Sequence, residues 1–354
     1  IIDGNNGLSN SIVTAIIKDQ RGLMWIGTRN GLNLYDGYSF TKPFRELANL
    51  PVTKLVYDDK LNVVWVGTDK GLYIILLNYG AVHYLDANSE WGRHGVSSIL
   101  IMRGHHVYVA YNNGALVAFD GGYTPRLVLR LQPKDKYNLV YIRDMIPQTD
   151  SSLIFLTYED RAMYRLSLRS NKLDTVRIGD KKLLPVFIQA GREVMRVGSI
   201  AHGLQLIDIN TFADITPSFL RQFNSMEKGS LQAIVYGDTC YAIYGYFNHY
   251  LINLKQETIS PVVQTAERRN DWRANNCIFR DEQGIIWIGT EVGIAKIIEE
   301  RNLFGQILDD LHYASSVRGI VEDEAGDLYV GSYKGLYHYS KKWAQWHQYL
   351  PPSL

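Results

Sequence analysis

One short phrase returns along the whole sequence, and this repeat constrains the fold more than any other feature. An aromatic residue, a β-branched residue, Gly and Thr or Ser lead to Gly and Leu or Ile at Trp25–Leu32, Trp65–Leu72, Trp287–Ile294 and Tyr329–Leu336. Weaker copies fill the interval between the second and third of these. Eight copies, 40 to 47 residues apart, are anchored at Trp25, Trp65, Tyr108, Phe155, Arg196, Tyr241, Trp287 and Tyr329. This period is typical of propeller blades and of helical repeats of the HEAT kind.

Local chemistry favours strands over helices. Each unit begins with a run of β-branched residues such as Ile12–Ile17, turns through Asp-x-x-Gly, and continues into the repeated phrase. The phrase ends in turns such as Asn30-Gly31, a strong hairpin signal, and a third and a weaker fourth run follow. We therefore expect an all-β fold, a β-propeller of four-stranded antiparallel blades. The first run of each unit is almost wholly apolar, as expected where neighbouring sheets cover both faces.

The repeated Trp and Gly residues are best interpreted as structural. A large aromatic side chain on the second strand fills the wedge between adjacent blades, and the Gly that follows allows close backbone approach. Because these residues recur in several units, none of them is predicted to have a unique catalytic role. We expect Trp25, Trp65 and Trp287 to be buried.

Enzyme and metal motifs are missing from the sequence. It has no nucleophile elbow, Walker loop, His-Glu-x-x-His or Cys-x-x-Cys motif. The adjacent pair His105-His106 falls in an expected turn and is not interpreted as a metal site. Lys and Arg total 37 against 36 for Asp and Glu, which argues against a nucleic-acid partner. We predict no catalytic residue, no metal and no cofactor. The longest apolar run, near Val63–Leu77, is too short to span a bilayer.

The phrase Asp-x-x-Gly-x-x-Trp-Ile-Gly-Thr-x-x-Gly-Leu, preceded by Gly7–Asn10 and Val13, resembles the two-component-regulator propeller repeat. This repeat is found in the periplasmic sensor regions of hybrid two-component systems of gut bacteria. The resemblance implies a periplasmic, non-enzymatic domain that recognises an oligosaccharide and signals by conformational change. It also implies a homodimer formed through the full-length receptor, with a histidine kinase and the membrane connection in downstream segments outside this chain.

The family's propellers have seven blades, whereas this sequence has eight units. We expect residues 1–312 to form a seven-repeat propeller and residues 313–354 to begin a second one, because the unit near Ser316–Ile320 restarts with a strong copy after weak ones. An eight-bladed ring is the alternative.

Ligand contacts are expected at one end of the propeller. In a four-stranded antiparallel blade, the connection into the first strand and the turn between the second and third strands emerge at the same end. Flat aromatic groups beside Arg and amide groups suit a sugar, whose apolar ring face stacks while its hydroxyls form directional hydrogen bonds. The candidate contacts are Trp91, Arg93, His94, Tyr137, His202, Phe247, His249, Trp272, Arg273 and Tyr333.

Two other functions remain open from the sequence. The propeller is alternatively a scaffold that binds a protein partner or a second copy of itself, since aromatic and Arg residues also dominate protein interfaces. A glycosidase or lyase is the third hypothesis, but it needs paired carboxylates, and no such pair is singled out by spacing.

Overall fold

A computed structural model describes residues 2–85, 89–121, 123–132, 141–158, 161–178, 185–191, 193–227, 230–236, 239–244, 248–262, 276–298, 317–332, 335–340, 342 and 345–349. The chain divides into two compact units, residues 1–299 and 300–354. Among the described residues, no helix combines the length and apolar character needed to cross a membrane.

The first unit is built from small antiparallel sheets in chain order. The first three sheets are β1 (Val13–Lys18), β2 (Met24–Thr28), β3 (Gly31–Tyr35) and β4 (Phe40–Thr41); β5 (Val52–Asp58), β6 (Val63–Thr68), β7 (Gly71–Leu76) and β8 (Ala81–Tyr84); and β9 (Val96–Ile101), β10 (Val107–Tyr111), β11 (Ala115–Phe119) and β12 (Pro125–Arg130). Single 3-10 turns span Gly4–Asn6 and Arg45–Leu47.

Four further sheets follow in the same unit. They comprise β13 (Ile142–Thr149), β14 (Ser152–Thr157), β15 (Met163–Ser167) and β16 (Leu173–Val176); β17 (Pro185–Gln189), β18 (Val194–Ser199) and β19 (Gly203–Asp208); β20 (Ser230–Tyr236), β21 (Thr239–Tyr244), β22 (Asn248–Asn253) and β23 (Thr258–Pro261); and β24 (Cys277–Arg280), β25 (Ile286–Gly289) and β26 (Ile294–Ile297). The helix α1 (Ser218–Met226) follows β19. The expected all-β fold of antiparallel blades is confirmed.

The second unit contains one described sheet. It consists of β27 (Val317–Glu322), β28 (Leu328–Ser332), β29 (Gly335–Ser340) and β30 (Gln345–Tyr349), in sequential antiparallel order. Two apolar residues of its first strand, Ile320 and Val321, are 63% and 65% exposed. At the position of Ile320, the first sheet has Ile16, which is buried.

The glycine of the repeated phrase lets neighbouring sheets approach closely. A Cβ on Gly27 would lie 2.5 Å from Cγ1 of Val52, the first residue of β5, and one on Gly289 would lie 2.7 Å from Cγ1 of Val13, the first residue of β1. The seventh sheet thus packs on the first as the first packs on the second. In addition, Ile2 pairs with Ile294 on the outer edge of the seventh sheet.

Hydrogen bonds near the start of the first strands join neighbouring sheets. A bulge lies at the second residue of β1, β5 and β9, and its hydroxyl donates to a carbonyl of the following sheet. An amide makes the same kind of bond from the seventh sheet to the first. The bonds are Thr14 Oγ1 to Val52 O (2.6 Å), Thr53 Oγ1 to Val96 O (2.7 Å), Ser97 Oγ to Ile142 O (2.6 Å) and Asn276 Nδ2 to Val13 O (2.9 Å).

The repeated tryptophans are buried between sheets, as expected from the sequence. The Nε1 of Trp25 donates to Asp19 Oδ2 at 3.0 Å, and the Nε1 of Trp287 donates to Asp281 Oδ2 at 2.9 Å. The aspartate of the Asp-x-x-Gly turn therefore shapes its own turn and also holds the wedge residue. Trp65 is buried too, but its Nε1 has no hydrogen-bond partner among the described residues.

Candidate functional site

The turns between second and third strands are short and braced by the Thr of the repeated phrase. Thr28 Oγ1 donates to Gly31 O at 3.0 Å and accepts from Asn30 N at 3.1 Å, and Thr68 and Thr290 make the same pair of bonds in their sheets. These turns lie at the end where the first strands begin, which we call the upper end. Their rigid backbone positions the side chains that surround the beginning of each first strand.

A central cavity of about 290 Å³ lies among the first strands of six sheets of the first unit. Its polar lining includes Lys54, Asp144, Gln189 and Asn276, and the buried Oε1 of Gln189 has no partner among the described residues. A second cavity of about 540 Å³ shares Thr14, Lys54 and Asn276 with it and adds Arg29 at the upper end. We call the group Thr14, Arg29, Lys54, Asp144 and Asn276 the channel mouth.

Charge at the channel mouth is mostly positive. Asp144 accepts hydrogen bonds from the backbone N–H of Ile188 at 3.3 Å and of Met145 at 3.1 Å. Burial raises the pKa of the Asp144 carboxyl above its ordinary value, and the charge of Lys54, these backbone hydrogen bonds and the charge of Arg143 oppose that rise. Asp144 is the one acidic side chain in the described lining of the two cavities.

A cysteine also lines the central cavity, but it is a poor nucleophile. Burial raises the pKa of the Cys277 thiol to about 12, so the thiol remains protonated near neutral pH. Among the described residues, no group of three or more His, Cys, Asp or Glu is arranged to hold a metal ion. The arrangement at the channel mouth is therefore suited to binding a polar ligand through hydrogen bonds and charge.

An aromatic pair at the upper end of the fourth sheet was missed by the sequence analysis. Tyr141, just before β13, and Tyr158, just after β14, stack with ring centroids 4.9 Å apart and an interplanar angle of 12°. The Cζ of Arg143 lies 5.8 Å from the centroid of the Tyr158 ring, and Tyr158 is 45% exposed. Tyr158 follows the second strand at the position that Arg29 has in the first sheet, and this correspondence is the signal that identifies it.

Five of the ten predicted ligand contacts lie outside the described residues and stay predictions. They are Tyr137, Phe247, Trp272, Arg273 and Tyr333.

Three others lie in the connection between β8 and β9. Arg93 and His94 are exposed there, and Arg93 has a φ of +70°. Trp91, in contrast, is half-buried and packs against the core cluster that contains Trp65 and Phe119. The Trp91 ring therefore has a structural role, because it covers the core between the second and third sheets, and its contact with a ligand stays a prediction.

The last two predicted contacts, His202 and His249, are not at the channel mouth. His202 lies in the turn between β18 and β19, where it lines a separate cavity of about 390 Å³ together with Gln205, Arg221 and Asn224. His249 belongs to β22 and not to the preceding connection, so its expected place in a solvent-facing turn is wrong.

The environment of His249 explains why it is not available to a ligand. Its side chain is buried, and Nδ1 is hydrogen-bonded to the hydroxyl of Tyr241 at 2.5 Å. Burial lowers the pKa of its imidazole to about 4, so it is neutral at physiological pH.

Sequence comparison identifies the repeat. Residues 7–30 and 271–292 match the family model described as two component regulator propeller. These two segments are similar to the two-component regulator propeller repeat. The matched segments coincide with the first and seventh units, whose tryptophans are held by Asp19 and Asp281. A search of curated proteins found no match.

Solved structures with the same fold include two sensor regions from B. thetaiotaomicron. The extracellular domain of a hybrid two-component system is 17% identical with a TM-score of 0.66, over 100% of this chain and 54% of that one. The extracellular domain of a one-component system is 17% identical with a TM-score of 0.62, over 98% of this chain and 47% of that one. This chain thus spans about half the length of either.

An enzyme shares the fold as well. The virginiamycin B lyase of Staphylococcus aureus is 14% identical with a TM-score of 0.58, and the match covers 81% of this chain and 94% of the lyase. At such low identity, all three likenesses show the fold alone. Function must be argued from the repeats and from the chemistry of the site.

Proposed function

We propose that this chain is a sensor domain of a two-component system, located outside the cytoplasm. The match of residues 7–30 and 271–292 to the two-component regulator propeller model carries this proposal. The fold likeness to extracellular domains of such systems supports it. The periplasm is the compartment that we propose, and the signal is passed by conformational change to domains beyond residues 1–354, in a receptor that works as a homodimer.

The proposed ligand is an oligosaccharide that binds at the channel mouth and at Tyr158. An exposed aromatic ring offers a platform for the apolar face of a sugar, and a sugar's hydroxyls need both donors and acceptors. The half-exposed ring of Tyr158 provides the platform. Asn276 and Lys54 supply donors, and Asp144 supplies an acceptor.

We propose that the ligand is bound and not cleaved. Glycoside hydrolysis uses two carboxyl groups on opposite sides of the scissile bond. The described lining of the two cavities offers Asp144 and no second carboxylate. The similarity to the lyase is a similarity of fold, and it assigns no catalytic role to the residues that line the two cavities.

For the domain organisation, we propose a propeller of seven blades that is complete within residues 1–312. The contact between Gly289 and Val13 and the pairing of Ile2 with Ile294 support closure after the seventh sheet. In a complete propeller, neighbouring blades cover the apolar side chains of each first strand. The exposure of Ile320 and Val321 therefore supports the second part of the proposal, that residues 313–354 begin another propeller.

A thermal-shift screen with neutral and acidic oligosaccharides tests the proposed function. A ligand at 100 times its Kd adds about 2.7 kcal/mol to the free energy of unfolding. We expect at least one oligosaccharide to raise the Tm, and we expect Tyr158→Ala to abolish the shift. Tyr38→Ala is the matched control, because Tyr38 is 96% exposed in the turn between β3 and β4 at the opposite end. An unchanged shift in Tyr158→Ala, or no shift with any oligosaccharide, would contradict the proposal.

A further inference from the structure

Two cationic side chains, Arg29 and Lys54, belong to the channel mouth, and a third, Arg143, immediately precedes Asp144 in the chain. Arg29, Lys54 and Arg143 form no ion pair with any described residue. The whole chain carries a formal charge of only +1, so the excess of cationic over acidic side chains in the lining of the two cavities is a local feature.

Lys54 connects the two cavities and the charged groups that line them. Lys54, on β5, lines both cavities, and its charge acts on Asp144 of the fourth sheet and on Cys277 of the seventh. Arg143 immediately precedes Asp144 and acts on it too. Arg29 lines the larger cavity together with Lys54. The lining of the two cavities thus carries the positive charges of Arg29 and Lys54 and the single carboxyl group of Asp144, and Arg143 adds a third positive charge next to Asp144.

The fold itself does not require positive charge at these places. Arg143 lies at the second residue of its first strand, the bulge position where the first three sheets have Thr14, Thr53 and Ser97. Those small hydroxyl residues tie adjacent sheets together. The fourth sheet instead carries a long guanidinium group there, 5.8 Å from the ring of Tyr158. A guanidinium group is matched in shape to carboxylate and sulfate groups.

We propose that the ligand is an anionic oligosaccharide, whose carboxylate or sulfate groups are bound by Arg143, Lys54 and Arg29 while Tyr158 stacks on a sugar ring. This rests on the sensor function proposed above and narrows it to a class of sugar. In its ionised form, the carboxyl group of Asp144 repels an anionic ligand and lowers its affinity, and the hydrogen bond from Ile188 N gives this carboxyl group a structural partner of its own. The sign of the effect of removing this carboxylate therefore separates acidic from neutral ligands.

Calorimetric titration of the whole chain tests the proposal. The probes are a tetragalacturonate, a sulfated chondroitin tetrasaccharide and the neutral cellotetraose, each at low and high salt. We expect one of the two acidic probes to bind, with affinity that falls as salt rises, because salt screens exposed charges. The two acidic probes separate carboxylate from sulfate recognition.

Variants assign the effect to the channel mouth. Lys54→Gln combined with Arg143→Gln should weaken binding at least about tenfold, as expected when hydrogen bonds to charged groups are lost. Asp144→Asn should strengthen it severalfold. Lys60→Gln is the control, because Lys60 is exposed in the turn between β5 and β6 at the opposite end, and it should leave affinity unchanged. Circular dichroism of each variant confirms that it is folded.

The outcomes separate this proposal from the sensor function. Salt-independent binding of cellotetraose, with weaker binding in Asp144→Asn, would overturn the anionic ligand and leave an oligosaccharide sensor intact. Equal loss of affinity in Lys60→Gln and in the double variant would also overturn it. If neither acidic nor neutral probe binds, both proposals fail.

Discussion

The tryptophans of the first and second units offer a matched pair for testing how the wedge is stabilised. Both side chains are buried, but Trp25 Nε1 donates to Asp19 whereas Trp65 Nε1 has no partner among the described residues. We expect Trp25→Phe to destabilise the protein more than Trp65→Phe does. Each substitution removes the same atoms and leaves a similar void, so the difference isolates the indole N–H.

Two effects add to that difference. A hydrogen bond to a charged group contributes about 1.5–3 kcal/mol, and Trp25→Phe loses one. An unpaired buried N–H costs about 1–3 kcal/mol, and Trp65→Phe removes one. At the lower ends of these ranges, the free energies of unfolding of the two variants differ by about 2.5 kcal/mol. Trp65 Nε1 lacks the aspartate partner because Asp58 is hydrogen-bonded to Nδ1 of His105 at 3.1 Å instead.

Urea unfolding followed by far-UV circular dichroism measures the difference. Trp287→Phe serves as an internal check, because Trp287 Nε1 donates to Asp281 at 2.9 Å and its variant should resemble Trp25→Phe. Equal loss of stability in Trp25→Phe and Trp65→Phe would refute the role assigned to the aspartate.

Three further predictions concern pH, ring closure and domain boundaries. The pKa of the His249 imidazole is about 4 in the folded protein and about 6.5 in the unfolded chain. The unfolded chain therefore binds a proton first, and the free energy of unfolding falls by about 3 kcal/mol as the pH drops from 6.5 to 4. In urea titrations, His249→Gln should lack this loss, whereas a variant of the exposed His83 should retain it. Gly289→Ala should lower the free energy of unfolding by about 1–3 kcal/mol, because the new Cβ would clash with Cys277 and Val13. Gly121→Ala should leave stability unchanged, because nothing lies within 4 Å of its Cβ position. Unchanged stability in Gly289→Ala would contradict packing of the seventh sheet on the first. Residues 1–312 expressed alone should unfold cooperatively at the Tm of the whole chain, and an unfolded fragment would contradict the proposed boundary.

The repeat made the fold predictable because each unit carries the same strand and turn signals independently of the others. The spacing of Trp, Gly and Thr is the same in the first, second and seventh units, so the strands and tight turns follow from local chemistry alone. The bond between Asp19 and Trp25 did not follow, because the Asp-x-x-Gly turn accounts for the aspartate without it. In the second unit, one extra residue separates Asp58 from Trp65, and only the packing of the next sheet shows that His105 takes the carboxylate.

The site was harder to predict because it depends on side-chain direction. Trp91 is in the expected connection, but its ring packs inward on the core. Tyr158 lies in a degenerate unit, and its value as a platform depends on stacking with Tyr141, 17 residues earlier in the chain. Lys54 lies in a strand that also contains Thr53 and Asp58, so its residue type does not single it out, and its importance follows from the cavity that the other sheets complete.

The position of a bound oligosaccharide tests the central claim most directly. A crystal structure of the chain with the tightest ligand from the screen should show a sugar ring on Tyr158 and polar groups of the ligand at Lys54 and Arg143. A ligand found instead in the separate cavity beside α1, in contact with His202 and Arg221 and away from the channel mouth, would contradict it.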